Sequence, residues 1–261
     1  DWILGIHIKR NRPTRTISLD QNQAISDFLA TWSTDFKPKK TSCPMHEKWK
    51  YGSEPPITDE ATIKKYRSQV GSMNYFSTCT RPDITFAVGI LCRYLSKPNK
   101  QCIEASHHLM CYLHSHCHLG IVYKATEDLT LESYCDANWG GDAPDKGKST
   151  SGSIIYFAGG PLDWNSSIQR VVAHSSAEAE HIAAFNTSRS VFYYRQFLEE
   201  LSITQHQPTT VWVDNTAAIA QSKNPVNSSK VKHMLLKYHY LRDLASQRQV
   251  KLSYISTVHQ I

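Results

Sequence analysis

Two short β-prone runs, each leading into an aspartate, limit what this chain can fold into. Leu129–Cys135 alternates apolar and polar side chains and runs into Asp136, and Thr209–Val213 (Thr-Thr-Val-Trp-Val) runs into Asp214. Alternation at period two marks a strand with one covered face. Between these runs lie two more strand-like stretches, Ser153–Phe157 and Leu162–Gln169, and one long helical stretch, Ser175–Leu201. Beyond Asp214 the pattern predicts a short helix over Asn215–Ser222, a loop over Asn224–Ser229, a helix over Lys230–Gln249 and a last strand over Val250–Ile255. The unit from residue 126 to 261 thus reads β-β-β-α-β-α-α-β.

Residues 1–125 have a different texture. Ile3–Ile8 and Thr16–Leu19 flank the basic stretch Lys9–Arg15 and predict a hairpin. Gln21–Trp32, Asp59–Phe76, Ile84–Leu95 and Gln101–His114 carry apolar residues at helical spacing. Phe36–Pro56, rich in Lys, Pro, Ser and Gly, reads as a loop. Two units, 1–125 and 126–261, are therefore expected.

With 40% hydrophobic residues in 261, each unit can bury a core, which excludes a disordered tail. No run of 18 uncharged apolar residues occurs, so no membrane span is expected. The opening Asp1-Trp2-Ile3-Leu4-Gly5 lacks a starting Met and the pattern of a signal peptide, and predicts a piece of a longer polypeptide. Seven cysteines without repeated spacing suit reduced thiols in an intracellular protein. A net charge of +6 leans mildly toward polyanionic partners.

Acids brought together by adjacent strand ends repel one another and raise each other's pKa unless a cation sits among them. Hard oxygen ligands at that density suit Mg²⁺ or Mn²⁺, and paired ions support phosphodiester cleavage. Asp at a strand end also serves as a plain cap for the turn or helix that follows. Spacing alone does not choose between these uses. Glu178 and Glu180 compete to supply a third acid. Ser175-Ser176-Ala177-Glu178 fits a capping box, which makes Glu178 structural. Glu180 lies two residues on, roughly 200° around the helix, before the small apolar Ile182-Ala183-Ala184, and is the chemical candidate.

At these residues the chain resembles a known family. Tyr134-Cys135-Asp136-Ala137-Asn138-Trp139-Gly140-Gly141-Asp142, then Lys148-Ser149-Thr150-Ser151-Gly152, His174-Ser175-Ser176-Ala177-Glu178-Ala179-Glu180 and Val213-Asp214-Asn215 look like the ribonuclease H domain of copia-type retrotransposon polyproteins. Trp2-Ile3-Leu4-Gly5-Ile6, Tyr66-Arg67-Ser68 with Val70-Gly71-Ser72, and Thr80-Arg81-Pro82-Asp83-Ile84 resemble the end of the reverse transcriptase from the same polyproteins. The resemblance implies an α/β fold for the second unit, a ribonuclease H-like mixed five-stranded sheet flanked by helices. A mainly helical thumb and connection remnant would precede it. It implies hydrolysis of the RNA strand of RNA–DNA hybrids with two Mg²⁺ ions or Mn²⁺. Asp136 would bridge both metals, and Glu180 and Asp214 would hold the second. The expected partners are the hybrid or another nucleic acid and the rest of the reverse transcriptase polyprotein, in a cytoplasmic particle or the nucleus.

The sequence departs from the family in places. The fourth carboxylate is expected after the last strand, in stretches like Thr-Val-Asp-Gln, but the chain reads Ser256-Thr257-Val258-His259-Gln260. His259 therefore stands in place of an Asp, and imidazole is a poor Mg²⁺ ligand though acceptable to Mn²⁺. Position 181 is His181 where Tyr is usual, and no Tyr-x-Asp-Asp hairpin is present, so DNA synthesis by this segment is not expected. Two functional expectations stand side by side. One is a ribonuclease H impaired at its fourth ligand. The other is a catalytically dead or repurposed module that binds nucleic acid or a protein partner without cutting.

Three further features have two readings each. Lys9, Arg10, Arg12 and Arg15 crowd one turn, Lys37, Lys39 and Lys40 the next loop, and Lys230, Lys232 and Lys237 a helix of the second unit. Each group is either a solvated surface or a set of phosphate contacts. Cys102, His107, His108, Cys111, His114, His116, Cys117 and His118 make a Cys/His-rich patch, read as a helix surface in preference to a zinc site. His233 and His239 serve either packing or the neighbourhood of the site.

Overall fold

The computed structural model of the chain describes residues 1–46, 49, 52, 54–125, 129–140, 147–223 and 232–259, with the backbone alone at 221–223 and 232–234. Two units emerge, Asp1–Ala125 and Thr126–Ile261. No helix among the described residues is long and apolar enough to cross a membrane.

The first unit opens with β1 (Trp2–Ile3), β2 (Ile6–Asn11) and β3 (Thr16–Asp20), and closes with β4 (Ile121–Lys124). These pair antiparallel in the order β1-β2-β3-β4. The single strand expected over Ile3–Ile8 is broken. Leu4 and Gly5 take φ of 50° and 72°, a turn that folds Ile3 back onto Ile6. Glycine accepts that conformation at no steric cost, whereas Leu4 is strained in it. The sequence reading missed β4, because four residues are too few to show a period.

The helices are α1 (Asn22–Thr31), α2 (Glu60–Cys79), α3 (Thr85–Cys92) and α4 (Lys100–Ser115). Their apolar stripes meet in one core: Ile25, Phe28 and Leu29 from α1, Tyr66, Val70, Met73 and Phe76 from α2, and Leu109, Met110 and Leu113 from α4. Asp59 caps α2 through the Thr62 amide at 2.9 Å, and Asn99 caps α4 through the Cys102 amide at 3.0 Å. The Arg81-Pro82-Asp83 break folds into a 3-10 turn. The wholly buried Arg81 forks onto Asp83 there at 2.9 and 2.7 Å, and the Tyr112 hydroxyl donates to the same carboxylate at 3.0 Å.

The Cys/His-rich stretch on α4 is spread over several environments. Cys102 is in the core, Cys111 donates to Lys37 O, His108 pairs with Cys43 O at 3.0 Å, and His116 stacks on Tyr112.

The second unit contains β5 (Glu132–Asn138), β6 (Thr150–Phe157), β7 (Gly160–Ile168), α5 (Ser176–Glu200), β8 (Thr209–Val213), α6 (Thr216–Lys223), α7 (Lys232–Ser246) and β9 (Val250–Tyr254). The sheet order is β7-β6-β5-β8-β9. β7, β6 and β5 pair antiparallel, and β5, β8 and β9 pair parallel. This is the mixed five-stranded, helix-flanked sheet of the ribonuclease H-like class that the resemblance implies.

Helix α5 lies across β5, β6 and β8 and buries Ala179, Ile182, Ala183, Val191 and Leu198 against Cys135, Ile155 and Val211. Buried Arg195, near its far end, donates to Gln205 O (2.6 Å), Gln207 O (2.8 Å), Thr209 Oγ1 and Gln249 Oε1 (both 2.9 Å). One guanidinium thus pins the approaches to β8 and β9, and with them the register of the parallel half of the sheet.

Candidate metal centre

Asp136 does not end its strand. β5 continues to Asn138 because the antiparallel partner β6 continues beside it, pairing Asp136 with Gly152. On the other side the parallel pairing with β8 stops at Tyr134 and Trp212. Asp136 therefore stands where β5 outruns β8, and Asp214 leaves the end of β8 just beyond. The cap of α6 is made by the next residue, Asn215, whose Oδ1 accepts from the Ala218 amide at 3.1 Å. Asp214 is free of that duty. Its Oδ2 accepts from Thr257 Oγ1 at 2.9 Å instead.

Local chemistry at the start of α5 separates the two glutamates. Ser175 is the N-cap and accepts from the Glu178 amide at 3.2 Å, while Glu178 Oε2 accepts from the His174 amide at 2.8 Å. The capping box is thus displaced by one residue on its return arm. Glu180, on the opposite side of the helix, is only 5% exposed. Its Oε1 accepts from the Ala137 amide at 3.1 Å, which ties α5 to β5. Its Oε2 is buried and has no hydrogen-bond partner.

Carboxylate oxygens of Asp136, Glu180 and Asp214 lie within 4.8 Å of one another. Among the described residues no other group of three acids, histidines or cysteines converges in this way. Burial, then the charges of Asp136 and Asp214, push the Glu180 carboxyl up to about 8. Asp136 is raised too, first because the surrounding protein takes water away from part of its carboxyl and then by the charge of Asp214. Burial likewise raises the Cys135 thiol, beside the site and under α5.

An orphaned buried carboxylate oxygen beside two more acids is a donor set suited to a cation. All three ligands are hard oxygens, which fits Mg²⁺ or Mn²⁺. His259 stays outside the cluster. It lies exposed on the 3-10 turn Thr257–His259 after β9, its amide donating to Ser256 O at 2.8 Å. His181 is fully buried and stacks on Tyr238 of α7 with ring centroids 3.7 Å apart, so it joins two helices.

The expected phosphate contacts are scattered. Lys9, Arg10, Arg12 and Arg15 are all exposed. Lys9 pairs across the hairpin with Ser18 and Arg10 with Ile17, so these neighbours project from opposite faces of the sheet. Arg12 and Arg15 sit in the turn, closed by Arg15 N donating to Arg12 O at 3.2 Å. Lys37, Lys39 and Lys40 are exposed as well. Lys230 lies outside the described residues, as do the side chains of Lys232 and His233. Lys237 lies over the Phe185 ring, and burial lowers its pKa. His239 is exposed.

Sequence reasoning missed three contributors near the site. Asn215 and Thr257 are short polar side chains whose partners are set by the fold. Trp139 carries no periodic signal, yet its Nε1 donates to Ala173 O at 3.0 Å.

A mixed five-stranded sheet with three converging acids defines the second unit as ribonuclease H-like in fold. Comparison with known proteins then gives the family. The chain is 34% identical over 259 residues to the retrovirus-related Pol polyprotein from transposon TNT 1-94 of Nicotiana tabacum, covering 98% of this chain and 19% of that protein. It is also 34% identical over 261 residues to the Pol polyprotein from transposon RE1 of Arabidopsis thaliana, covering 100% of this chain and 17% of that one. The chain belongs to the copia-type retrotransposon Pol polyproteins, and it spans less than a fifth of the length of these two relatives. No family model matches it. A solved ribonuclease H1 isolated from compost is similar to it at a TM-score of 0.37 and 16% identity, over 50% of this chain and 87% of that one, a loose likeness.

Proposed function

We propose that residues 126–261 are the ribonuclease H part of a copia-type Pol polyprotein and hydrolyse the RNA strand of RNA–DNA hybrids. Residues 1–125 are then the thumb and connection of its reverse transcriptase. The observation that carries the reading is the bare, buried Oε2 of Glu180 beside Asp136 and Asp214. Asp136, Glu180 and Asp214 would hold two Mg²⁺ ions, or Mn²⁺. Bound there, such ions supply an activated water and charge stabilisation for the leaving oxygen of the phosphodiester.

The chain's own residues set the stage for this. The Ala137 amide fixes Glu180 Oε1, and Oε2 stays buried without a hydrogen-bond partner. Thr257 fixes Asp214 Oδ2. With a cation held there Glu180 would stand ionised, since a positive charge would offset the burial and the neighbouring aspartates that raise its pKa. Exposed cations of the hairpin, Lys9, Arg10, Arg12 and Arg15, would meet phosphates of the hybrid, with Lys230 and Lys232 doing so on the nuclease side.

The test is cleavage of a labelled RNA–DNA hybrid by the full chain in Mg²⁺ and in Mn²⁺, with double-stranded DNA and Asp136→Asn as controls. Metal-dependent products from the RNA strand that Asp136→Asn abolishes support the reading. Binding without cleavage in either metal favours the second reading, a non-cutting nucleic-acid-binding module. That alternative draws on one observation, the exposed imidazole of His259 standing apart from the three acids.

A further inference from the structure

We propose that Trp139 is a fixed aromatic platform for the nucleic-acid strand, taking the ring of a ribose or base next to the phosphate held at Asp136, Glu180 and Asp214. The inference rests on the proposed function and adds a substrate-contacting residue to it. Trp139 is 52% exposed. A solitary exposed apolar residue needs no explanation in itself. Two things set this one apart, its fixation and its place.

Its indole N–H donates to Ala173 O at 3.0 Å, so the ring is held by its polar edge while much of its apolar surface stays open to solvent. That bond runs parallel in purpose to the one from the Ala137 amide to Glu180 Oε1 at 3.1 Å. Both fasten the end of β5 to the segment around the start of α5, the two elements that carry Asp136 and Glu180. Trp139 stands one residue past the end of β5 and three past Asp136, so the chain itself holds the two Cα atoms within about 11 Å, a span of roughly two nucleotides.

The large exposed side chains of this unit's long helix, Tyr193 and Phe197, sit on the half of α5 remote from the acids. Around Trp139 the surface suits a polyanion. Val172, beside Ala173, is exposed, and Arg170 is exposed at the end of β7. The Gly140 amide donates to Ser149 Oγ at 3.3 Å, which brings the Lys148 segment to the same rim. Stacking on an aromatic face tolerates any base, so the platform would read no sequence.

The experiment measures equilibrium binding of a fluorescent RNA–DNA hybrid to the full chain with Ca²⁺ present, for wild type, Trp139→Phe, Trp139→Leu and Trp139→Ala. Trp139→Ala and Trp139→Leu are expected to weaken binding about tenfold, the size of one lost stacking contact. Trp139→Phe should stay within about threefold of wild type, because it keeps a π-face of similar kind. The salt dependence should keep its slope in all four, since no phosphate contact is removed. Trp139→Leu keeps apolar bulk, so it serves if Trp139→Ala fails to fold. Leu or Ala variants that bind as tightly as wild type would overturn the platform and leave the nuclease reading standing. So would a Phe variant as weak as the Leu variant, because the indole N–H bond to Ala173 would then be the whole effect. Failure of wild type to bind any hybrid would overturn the proposed function and this inference together.

Discussion

The hydroxyl of Thr257 donates to Asp214 Oδ2 at 2.9 Å. The stretch after β9 therefore reaches the acidic cluster through a neutral donor, two residues short of His259. Thr257→Val should let Asp214 swing and weaken metal binding severalfold, while Thr257→Ser, which keeps the hydroxyl, should restore it. Calorimetric titration with Mn²⁺ reads both variants. Equal affinity in wild type and Thr257→Val would show that Asp214 is held by other means.

The raised carboxyl of Glu180 makes a prediction about pH. Its ordinary value is 4.5, and in the folded chain it is pushed up to about 8 by burial and by the two aspartates. The folded state thus holds this proton more tightly than the unfolded state. Without metal, stability is greatest below the ordinary value and falls as pH rises from there to about 8, beyond which it no longer depends on this group. Thermal melts in EDTA across that window should show the decline, and Glu180→Gln should flatten it. Metal affinity runs the other way, rising with pH as the competing proton leaves. A melting temperature in EDTA that rises through the window would mean that Glu180 is already ionised in the fold.

Two glutamates two residues apart should behave differently. Ser175→Ala, which removes the N-cap of α5, should cost about 1 kcal/mol and leave the metal response intact. Glu178→Ala should cost less, because it loses only the bond from the His174 amide. Glu180→Ala should abolish the metal-induced rise in melting temperature. A normal metal response in Glu180→Ala alongside a lost response in Glu178→Ala would reverse the assignment.

Much of this was legible in the sequence, for reasons visible in particular residues. Helical spacing found α1 to α5 because each buries one apolar stripe, and the Ser175–Glu178 pattern located the start of α5 and separated the two glutamates. Period two found β5, and β-branched composition found β8. Neither could tell that β5 runs on through Asp136, because strand length there is set by a neighbour, β6, distant in sequence. The Leu4-Gly5 turn was hidden by its leucine, which gives no sign of a positive φ. The cap at Asn215, the Thr257 bond and the Trp139 bond each depend on a partner set by tertiary structure, which periodicity does not report.

The basic hairpin offers a sharper test than its composition suggested. Lys9 and Arg10 project from opposite faces of the first sheet, so one nucleic-acid backbone cannot engage both in the same way. Lys9→Ala and Arg10→Ala should differ. One should flatten the salt dependence of hybrid binding by about one unit of slope, and the other should leave it unchanged. Two unchanged slopes would make the hairpin a solvated surface.

His259 separates the two readings of function. It occupies the position where an acid is expected, and its imidazole stands exposed on the turn after β9 with no part in the cluster of Asp136, Glu180 and Asp214. With three acids in place of four, cleavage of an RNA–DNA hybrid in Mg²⁺ should be slow or absent, and faster in Mn²⁺, which accepts nitrogen ligands more readily. His259→Asp should raise the Mg²⁺-dependent rate, since an aspartate on the same turn can extend toward the acids and be drawn in by the cation they share. Adding Asp136→Asn to that variant should abolish the gain, which ties it to the same metal site. The assay compares initial rates in each metal at matched protein stability. Strong Mg²⁺-dependent cleavage by wild type, unchanged in His259→Asp, would mean that three carboxylates suffice and that the non-cutting reading is wrong.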